Sequence, residues 1–329
     1  MNSSDLSYTT TAPSVGQLIS NRAVGKSIRG LRDDPFHLAL VIEGGGMRGV
    51  VSGGMVTAIE QLGLLRCFDT IHGSSAGACA GAYLAAGQAE LGTRIYFEDI
   101  NNSRFISIGR GLTGGPTMNA DFLIDKIMRS VKRLDADKII SLHDFLFVVS
   151  TEVKTGRPHV ISRWKNLDEI LDSLRASIKI PIIAGKSVII DGNEYVDGGV
   201  VQQIAIESAL SVGATHIVVF VTRMIGELER KSGGIRHVFE HALLRQIYGE
   251  PIAAAYDVRN VNINRLMSAL TTTDVYKTAK TAMIVRERGM TRVGRLTRDA
   301  RVLAQAGLEG RQAVEKYMGT LGLGSSCIA

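Results

Sequence analysis

The sequence predicts an α/β fold built on a parallel sheet covered by helices. Three observations carry that prediction. The apolar run His37–Ile42 passes through Gly44-Gly45-Gly46-Met47-Arg48-Gly49 into a helical pattern. A second run, Phe68–His72, breaks at Gly73-Ser74-Ser75-Ala76-Gly77 and again feeds a helix. Further apolar strands follow at 145–153 and 216–222. Strand, glycine turn and helix in repeated succession place parallel strands side by side with helices over them.

Each element follows in order. Residues 1–14 read as a polar tail. Over 15–32, Val15, Leu18, Ile19, Val24, Ile28 and Leu31 recur at helical spacing, with Arg22, Lys26, Arg29 and Arg32 between them. Such a segment either lies on a membrane surface or packs on the body of the domain. After the first strand, a helix runs through Met55, Ile59 and Leu62 to Gly63. The helix after the second strand, Ala78–Ala86, is rich in small residues, and helical patterns continue over 90–100 and 119–132. The strand at 145–153 turns at Lys154-Thr155-Gly156-Arg157 into a partner at 159–162. A helix over 167–177 leads to a short strand at 188–190 and the hairpin turn Asp191-Gly192. Tyr195-Val196 then runs into Asp197-Gly198-Gly199. After the strand 216–222 the pattern beyond 232 is helical only, ending near Met318. The division expected is a partly helical tail (1–36), a catalytic domain (37–222) and a helical C-terminal extension packed on it (223–329).

Composition bounds the function. Apolar residues make up 45% of the 329, enough for a large core. The net charge of +6 favours contact with anionic surfaces without choosing among them. Aromatics are only 5%, and no dense Lys/Arg run is interleaved with them, so nucleic acid is not an expected partner. Arg286, Arg288, Arg292, Arg295, Arg298 and Arg301 form a basic stretch, read as a solvated helix face or a contact for anionic lipid. Cys67, Cys79 and Cys327 are odd in number and have no metal-binding or disulfide spacing, and Cys327 stands one position short of a prenylation box. A polar N-terminus without an apolar core, and no run of about 18 apolar residues, predict neither a signal peptide nor a membrane span. The expectation is a cytoplasmic protein that meets a membrane from the side. No metal or other cofactor is expected.

The chemistry-bearing residues sit at the glycine turns. In Gly73-x-Ser75-x-Gly77, a tight strand-to-helix turn projects a serine into reach of a carbonyl, and the helix that follows favours developing negative charge. The same pattern also occurs as a plain structural turn. Gly44-x-Gly46-x-x-Gly49 fits two uses. One is a dinucleotide-binding loop, with Asp69 about 20 residues on. The other is an oxyanion hole, with the N–H groups of Gly45 and Gly46 aimed at the carbonyl oxygen. Arg48 either braces this loop or meets a lipid phosphate. Asp197-Gly198-Gly199 ends a short strand, as a base for the serine or as an ordinary turn. Of the seven histidines, only His216, His237 and His241 follow Asp197, in the order a Ser–Asp–His hydrolase requires. None sits in a distinctive loop.

Taken together, these elements resemble the patatin-like phospholipase family. Glu43-Gly44-Gly45-Gly46-Met47-Arg48-Gly49 resembles its oxyanion loop, Gly73-Ser74-Ser75-Ala76-Gly77 its nucleophile elbow and Asp197-Gly198-Gly199 its Asp-Gly-Gly motif. Ala176-Ser177-Ile178-Lys179-Ile180-Pro181 resembles its Ala-Ser-x-x-x-Pro segment, and the turn Thr151–Gly156 also fits. The resemblance covers 37–222. It implies a three-layer α/β/α sandwich and a Ser75–Asp197 dyad without histidine. It implies an oxyanion loop over Gly44–Gly49, supported by Gly73, Gly77, Gly198 and Gly199, with no metal. The substrate would be a phospholipid or other acyl-lipid, cleaved through an acyl-enzyme. An acyltransferase with the same dyad, a dinucleotide-binding protein and a lipid-binding module without activity are the alternatives.

Overall fold

A computed structural model of the chain describes residues 12–227 and 234–324. Residues 1–11, most of the polar stretch read over 1–14, and Cys327 lie outside the described residues. Among the described residues nine strands form one sheet. They are β1 (Leu38–Ile42), β2 (Thr70–Ser74), β3 (Leu146–Glu152), β4 (Pro158–Ile161), β5 (Val188–Ile190), β6 (Asn193–Asp197), β7 (His216–Met224), β8 (Val275–Tyr276) and β9 (Ala279–Arg286). The order is β5-β6-β3-β2-β1-β7-β9-β8, with β4 also paired to β3. The centre, β3-β2-β1-β7-β9, is parallel throughout.

Eleven α-helices accompany the sheet among the described residues. They are α1 (Val15–Val24), α2 (Gly49–Gln61), α3 (Ala76–Ala85), α4 (Ala89–Glu98), α5 (Ile108–Leu112), α6 (Ala136–Ser141), α7 (Leu167–Ile178), α8 (Ile206–Ser211), α9 (Gly234–Tyr248), α10 (Glu250–Thr272) and α11 (Ala300–Thr320). A wider π-helical segment spans Phe122–Val131. The alternation of a strand divides the core. Leu38, Leu40 and Ile42 of β1 face a large core with residues of α2, α3, α4, α7 and α11. Ala39 and Val41 face the opposite core, with Ala209 of α8 and Ile263 and Met267 of α10. The result is the expected three-layer α/β/α arrangement.

Three expectations are corrected. The segment beyond 232 is not helical only, because β9 continues the parallel sheet beside β7 and β8 folds back on it. Its sequence, Ala-Lys-Thr-Ala-Met-Ile-Val-Arg, mixes good helix formers with short apolar residues, and pairing with β7 overrides that preference. The arginine stretch is not a helix face. Arg286 ends β9 in a buried ion pair with Glu309 of α11, Arg288 to Arg298 lie in a connecting loop, and only Arg301 is helical. The helix expected over 15–32 stops at Val24 and packs on the body of the domain. Its Arg22 is buried and pairs with Asp34 and Asp69.

The sheet also places the site. β4 occupies one edge of β3 over residues 148–151, so β2 and β6 share the other edge. β2 runs up that edge until Ser74 pairs with Val149, and β6 runs down it until Asp197 pairs with Ser150. The C-terminal ends of two oppositely directed strands therefore meet one residue step apart.

Candidate active site

Ser75 follows β2 directly. Its backbone has φ 55° and ψ −130°, a conformation that a non-glycine residue holds only when its surroundings impose it. Two constraints do so. The Ser75 N–H donates to the Ser177 hydroxyl at 2.9 Å, and that hydroxyl donates to the Val149 carbonyl at 2.6 Å. On the other side α3 starts immediately, packed so tightly that a Cβ on Gly77 would lie 2.2 Å from the Ile42 carbonyl oxygen. Gly73 abuts Gly77 and Ala78 in the same way.

Asp197 closes the gap. Its Oδ2 accepts a 2.6 Å hydrogen bond from Ser75 Oγ, and its Oδ1 accepts one of 2.6 Å from the Gly199 N–H. Its own N–H donates to the Lys179 carbonyl, so the 177–179 stretch holds both partners of the pair. Gly198 lies against the Val149 carbonyl and Ser74, where a side chain has no room. The Asp197 carboxyl is buried, and burial pushes it up to about 6, against the lowering effects of the Ser75 and Gly199 hydrogen bonds and of the charges on Arg295 and Arg259.

The glycine loop faces the same point. Gly44 sits against Ser74 and Ser75, where a Cβ would stand 2.8 Å from Ser75 Cβ. Most of the loop's backbone donors are occupied. The Gly44 N–H donates to Gln203, that of Met47 to Arg295 and that of Arg48 to Gly45, each to a carbonyl. The Gly49 N–H bonds back to Gly46 and Met47. The N–H groups of Gly45 and Gly46 make no hydrogen bond among the described residues. Arg48 is buried and folds under Gly45, which fits the bracing role rather than a surface contact. Glu43 fixes the loop's start. It accepts from the Thr222 N–H and hydroxyl at 2.6 and 2.9 Å and pairs with buried Arg223 at 2.9 Å.

A cleft of about 190 Å³ opens on this cluster, with Gly45, Gly46, Ser75, Asp197, Arg259 and Arg295 in its wall. From Ser75 a smaller apolar cavity of about 40 Å³ leads inward past Cys79, Tyr96, Phe105, Met118 and Ala120. Cys79 there is a buried thiol, pushed up to about 12 by burial, and unsuited to act as a nucleophile.

Other sequence candidates lie elsewhere. His216 starts β7 and bonds Thr215 and the Pro13 carbonyl, while His237 and His241 pair with Asp257. His72 is buried in the sheet between Thr70 and Ser208, and burial pushes it down to about 3. No histidine lines the cleft. Asp69 precedes β2 and is engaged by Arg22, Arg32 and the Leu38 N–H, at the sheet end away from the glycine loop. It is therefore not placed to hold a ribose. Among the described residues no acidic, histidine and cysteine cluster fits a metal ion.

Residues 40–210, just over half of the chain, match the model of the patatin-like phospholipases. The chain belongs to that family. It is 27% identical over 191 residues to the uncharacterized protein YjjU of Escherichia coli (strain K12), a match covering 57% of this chain. The chain thus matches about half the length, 52%, of that curated relative. The crystal structure of VipD from Legionella pneumophila superimposes with a TM-score of 0.46 at 12% identity, over 87% of this chain and 67% of that one.

Sequence reading assigned no role to Ser177 or Arg259, and took Arg295 only as one member of the basic stretch 286–301. Ser177 lies in the Ala-Ser-x-x-x-Pro segment, but its double hydrogen bond joins residues far apart in sequence. Arg259 and Arg295 lie outside the residues that match the patatin-like model, in α10 and in the loop before α11. No local pattern marks Arg259, and the basic stretch that contains Arg295 does not place it at the cleft.

Proposed function

We propose that this patatin-like chain is a lipid acyl hydrolase working through a Ser75–Asp197 dyad. The observation that carries the reading is the 2.6 Å hydrogen bond from Ser75 Oγ to Asp197 Oδ2, set beside two open backbone donors. Ser75 Oγ attacks the ester carbonyl carbon as its proton passes to Asp197. The carbonyl oxygen becomes an oxyanion and takes hydrogen bonds from the Gly45 and Gly46 N–H groups. Removing one such donor typically costs about 3 kcal/mol of transition-state stabilisation. Collapse breaks the ester bond, and the departing alcohol takes the proton from Asp197. Water then gives a proton to Asp197 and attacks the acyl-enzyme, and the fatty acid leaves as Ser75 is restored.

A carboxylate is a weak base for a hydroxyl. Burial of Asp197 narrows the mismatch by moving its titration toward the working pH. The apolar lining of the small cavity beside Ser75 suits the first carbons of an acyl chain. Leu296 in the cleft wall is an exposed apolar residue, and Ile182, Ile108 and Leu112 are exposed elsewhere on the surface, which supports approach to a membrane surface. No helix among the described residues is long and apolar enough to cross one.

The test is product analysis by mass spectrometry after wild type, Ser75→Ala and Asp197→Asn are incubated with a mixed lipid extract. Fatty acid released by wild type and by neither variant is expected. Retained turnover in a folded variant would refute the dyad. Acyl chains appearing on an added alcohol, in place of free fatty acid, would make the enzyme an acyltransferase.

A further inference from the structure

We infer that Tyr96 recognises a hydroxyl carried on the acyl chain close to the scissile ester, so that the preferred acyl group is a 2- or 3-hydroxyacyl. The inference rests on the acyl-hydrolase reading of Ser75 and deepens it by naming the acyl class.

Tyr96 is a phenol where an apolar cavity would suit a phenyl ring. It stands in the last turn of α4, only 8% exposed, in the wall of the cavity that leads inward from Ser75. Its hydroxyl makes no hydrogen bond among the described residues. Other polar side chains of the same core are bonded. Thr93 donates to the Ala89 carbonyl at 2.9 Å, Thr57 to the Gly53 carbonyl at 2.9 Å and Tyr83 to the Lys132 carbonyl at 2.5 Å. A buried hydroxyl without a partner is uncommon and costly, so the exception at Tyr96 points to a ligand.

The backbone makes room for this hydroxyl. A Cβ on Gly49, the first residue of α2, would lie 2.2 Å from Tyr96 Oη and 2.5 Å from Ala76 Cβ. Glycine at 49 thus leaves the space that the hydroxyl fills. The hydroxyl is also a neighbour of Ala76, the residue after the nucleophile, which places it on the Ser75 side of the tyrosine. Burial pushes the Tyr96 phenol further above its ordinary range, so it stays protonated and can donate.

A donor there calls for an acceptor oxygen. In the proposed mechanism the ester carbonyl oxygen already has the Gly45 and Gly46 N–H groups. Ser75 Oγ is engaged with Asp197, and the remaining side chains of the cavity wall are apolar or carry sulfur. The acceptor therefore arrives with the substrate. A cavity of about 40 Å³ admits roughly three water-sized groups, which puts that oxygen on the second or third carbon of the acyl chain. A hydroxyl suits the place better than a keto oxygen, because it accepts from Tyr96 and can turn its own proton to the Cys79 sulfur in the same wall.

The experiment measures kcat/KM for the 4-nitrophenyl esters of butanoic, 2-hydroxybutanoic and 3-hydroxybutanoic acid, with wild type and Tyr96→Phe. The readout is the ratio of each hydroxy ester to the butanoyl ester, compared between the two proteins so that the intrinsic reactivity of each ester cancels. Tyr96→Phe should lower at least one ratio about fivefold, the worth of one neutral hydrogen bond, and leave the butanoyl ester no slower. Unchanged ratios overturn the inference. So does an equal fall on all three esters, which would place the hydroxyl at the ester carbonyl. Thermal melts of the same proteins give a second check. Tyr96→Phe should melt no lower than wild type, and a clear fall would mean that the hydroxyl is bonded within the chain and overturn its assignment to substrate. If wild type hydrolyses none of the esters, the acyl-hydrolase reading has failed separately. Binding of hexanoate and of 2- and 3-hydroxyhexanoate to Ser75→Ala protein, followed by NMR titration, then tests the subsite alone. Tighter binding of either hydroxy acid, lost on adding Tyr96→Phe, supports it, and equal binding of all three overturns it.

Discussion

Replacing Asp197 by asparagine should abolish hydrolysis and at the same time make the protein more stable at neutral pH. Folding buries this carboxyl and pushes it from the ordinary 3.8 up to about 6. The folded chain therefore holds the proton more tightly than the unfolded chain. The stabilisation from that proton is complete below about pH 4, declines as the pH rises from there, and is gone above about pH 6. At about 1.4 kcal/mol per pH unit, wild type at pH 8 lacks on the order of 3 kcal/mol that it has in acid. Asparagine has the shape to accept from the Gly199 N–H and to donate to Ser75 Oγ, and it carries no charge at any pH. Urea denaturation of wild type and Asp197→Asn across this range measures the effect. Their stabilities should converge near pH 4 and separate by up to roughly 3 kcal/mol, in favour of the variant, near pH 8. In the same series wild-type kcat/KM should rise with pH about a midpoint near 6, as the base loses its proton. A stability difference that is flat with pH, or a variant less stable than wild type near pH 8, would refute the claim that burial of an ionised Asp197 opposes folding.

Three other outcomes follow from the same geometry. Ser177→Ala leaves the buried Ser75 N–H and Val149 carbonyl without their partner, so a stability loss of about 2–4 kcal/mol is expected, with at least a tenfold fall in kcat as the elbow loosens; wild-type values for both would show that Ser177 does not hold Ser75. Ala120→Phe fills the apolar cavity beside Ser75 and should reduce kcat/KM for long-chain esters far more than for butyryl esters, at ~0.8 kcal/mol for each methylene excluded; an equal effect on both would remove this cavity as the acyl site. Glu309→Ala strands buried Arg286 and releases Thr291, which anchors the loop leading to Arg295; a loss of about 3–5 kcal/mol in denaturation is expected, and a change under 1 would contradict the burial of that pair.

What the sequence made legible has a physical basis. Parallel strands buried on both faces read as unbroken apolar runs, so β1, β2, β3 and β7 stood out. Asp191-Gly192 read as a hairpin, and both residues have positive φ between β5 and β6. Ser75 and Asp197 were visible because each ends a strand in a glycine-rich turn of local geometry. β9 was hidden because its pairing with β7 is long-range and its residues suit a helix. Ser177 stood inside a motif, yet its work is to join Ser75 to Val149, which no local spacing records. Arg259 and Arg295 reach the cleft only because α9 and α10 fold over Val196 and Val200, beside Asp197, and the loop before α11 crosses the oxyanion loop.

The choice between the two uses of the Gly44–Gly49 loop turns on its backbone donors. A dinucleotide site presents a helix N-terminus with several N–H groups open to a pyrophosphate. Here α2 begins behind the loop with that role already filled, because the Gly44, Met47, Arg48 and Gly49 N–H groups bond carbonyls within the chain. Among the described residues two donors are left, at Gly45 and Gly46, and both residues share the cleft wall with Ser75. Two adjacent donors suit a single oxygen better than a pair of phosphates. The Ser75 N–H, which many serine hydrolases would leave near the nucleophile for that purpose, is bonded to Ser177. In the proposed mechanism the glycine loop would hold the oxyanion, and the loop itself is held by hydrogen bonds to the Gln203 and Arg295 carbonyls. A residue long after the family segment thus bonds the loop and lines the cleft, which ties the C-terminal part of the chain to the proposed site at Ser75.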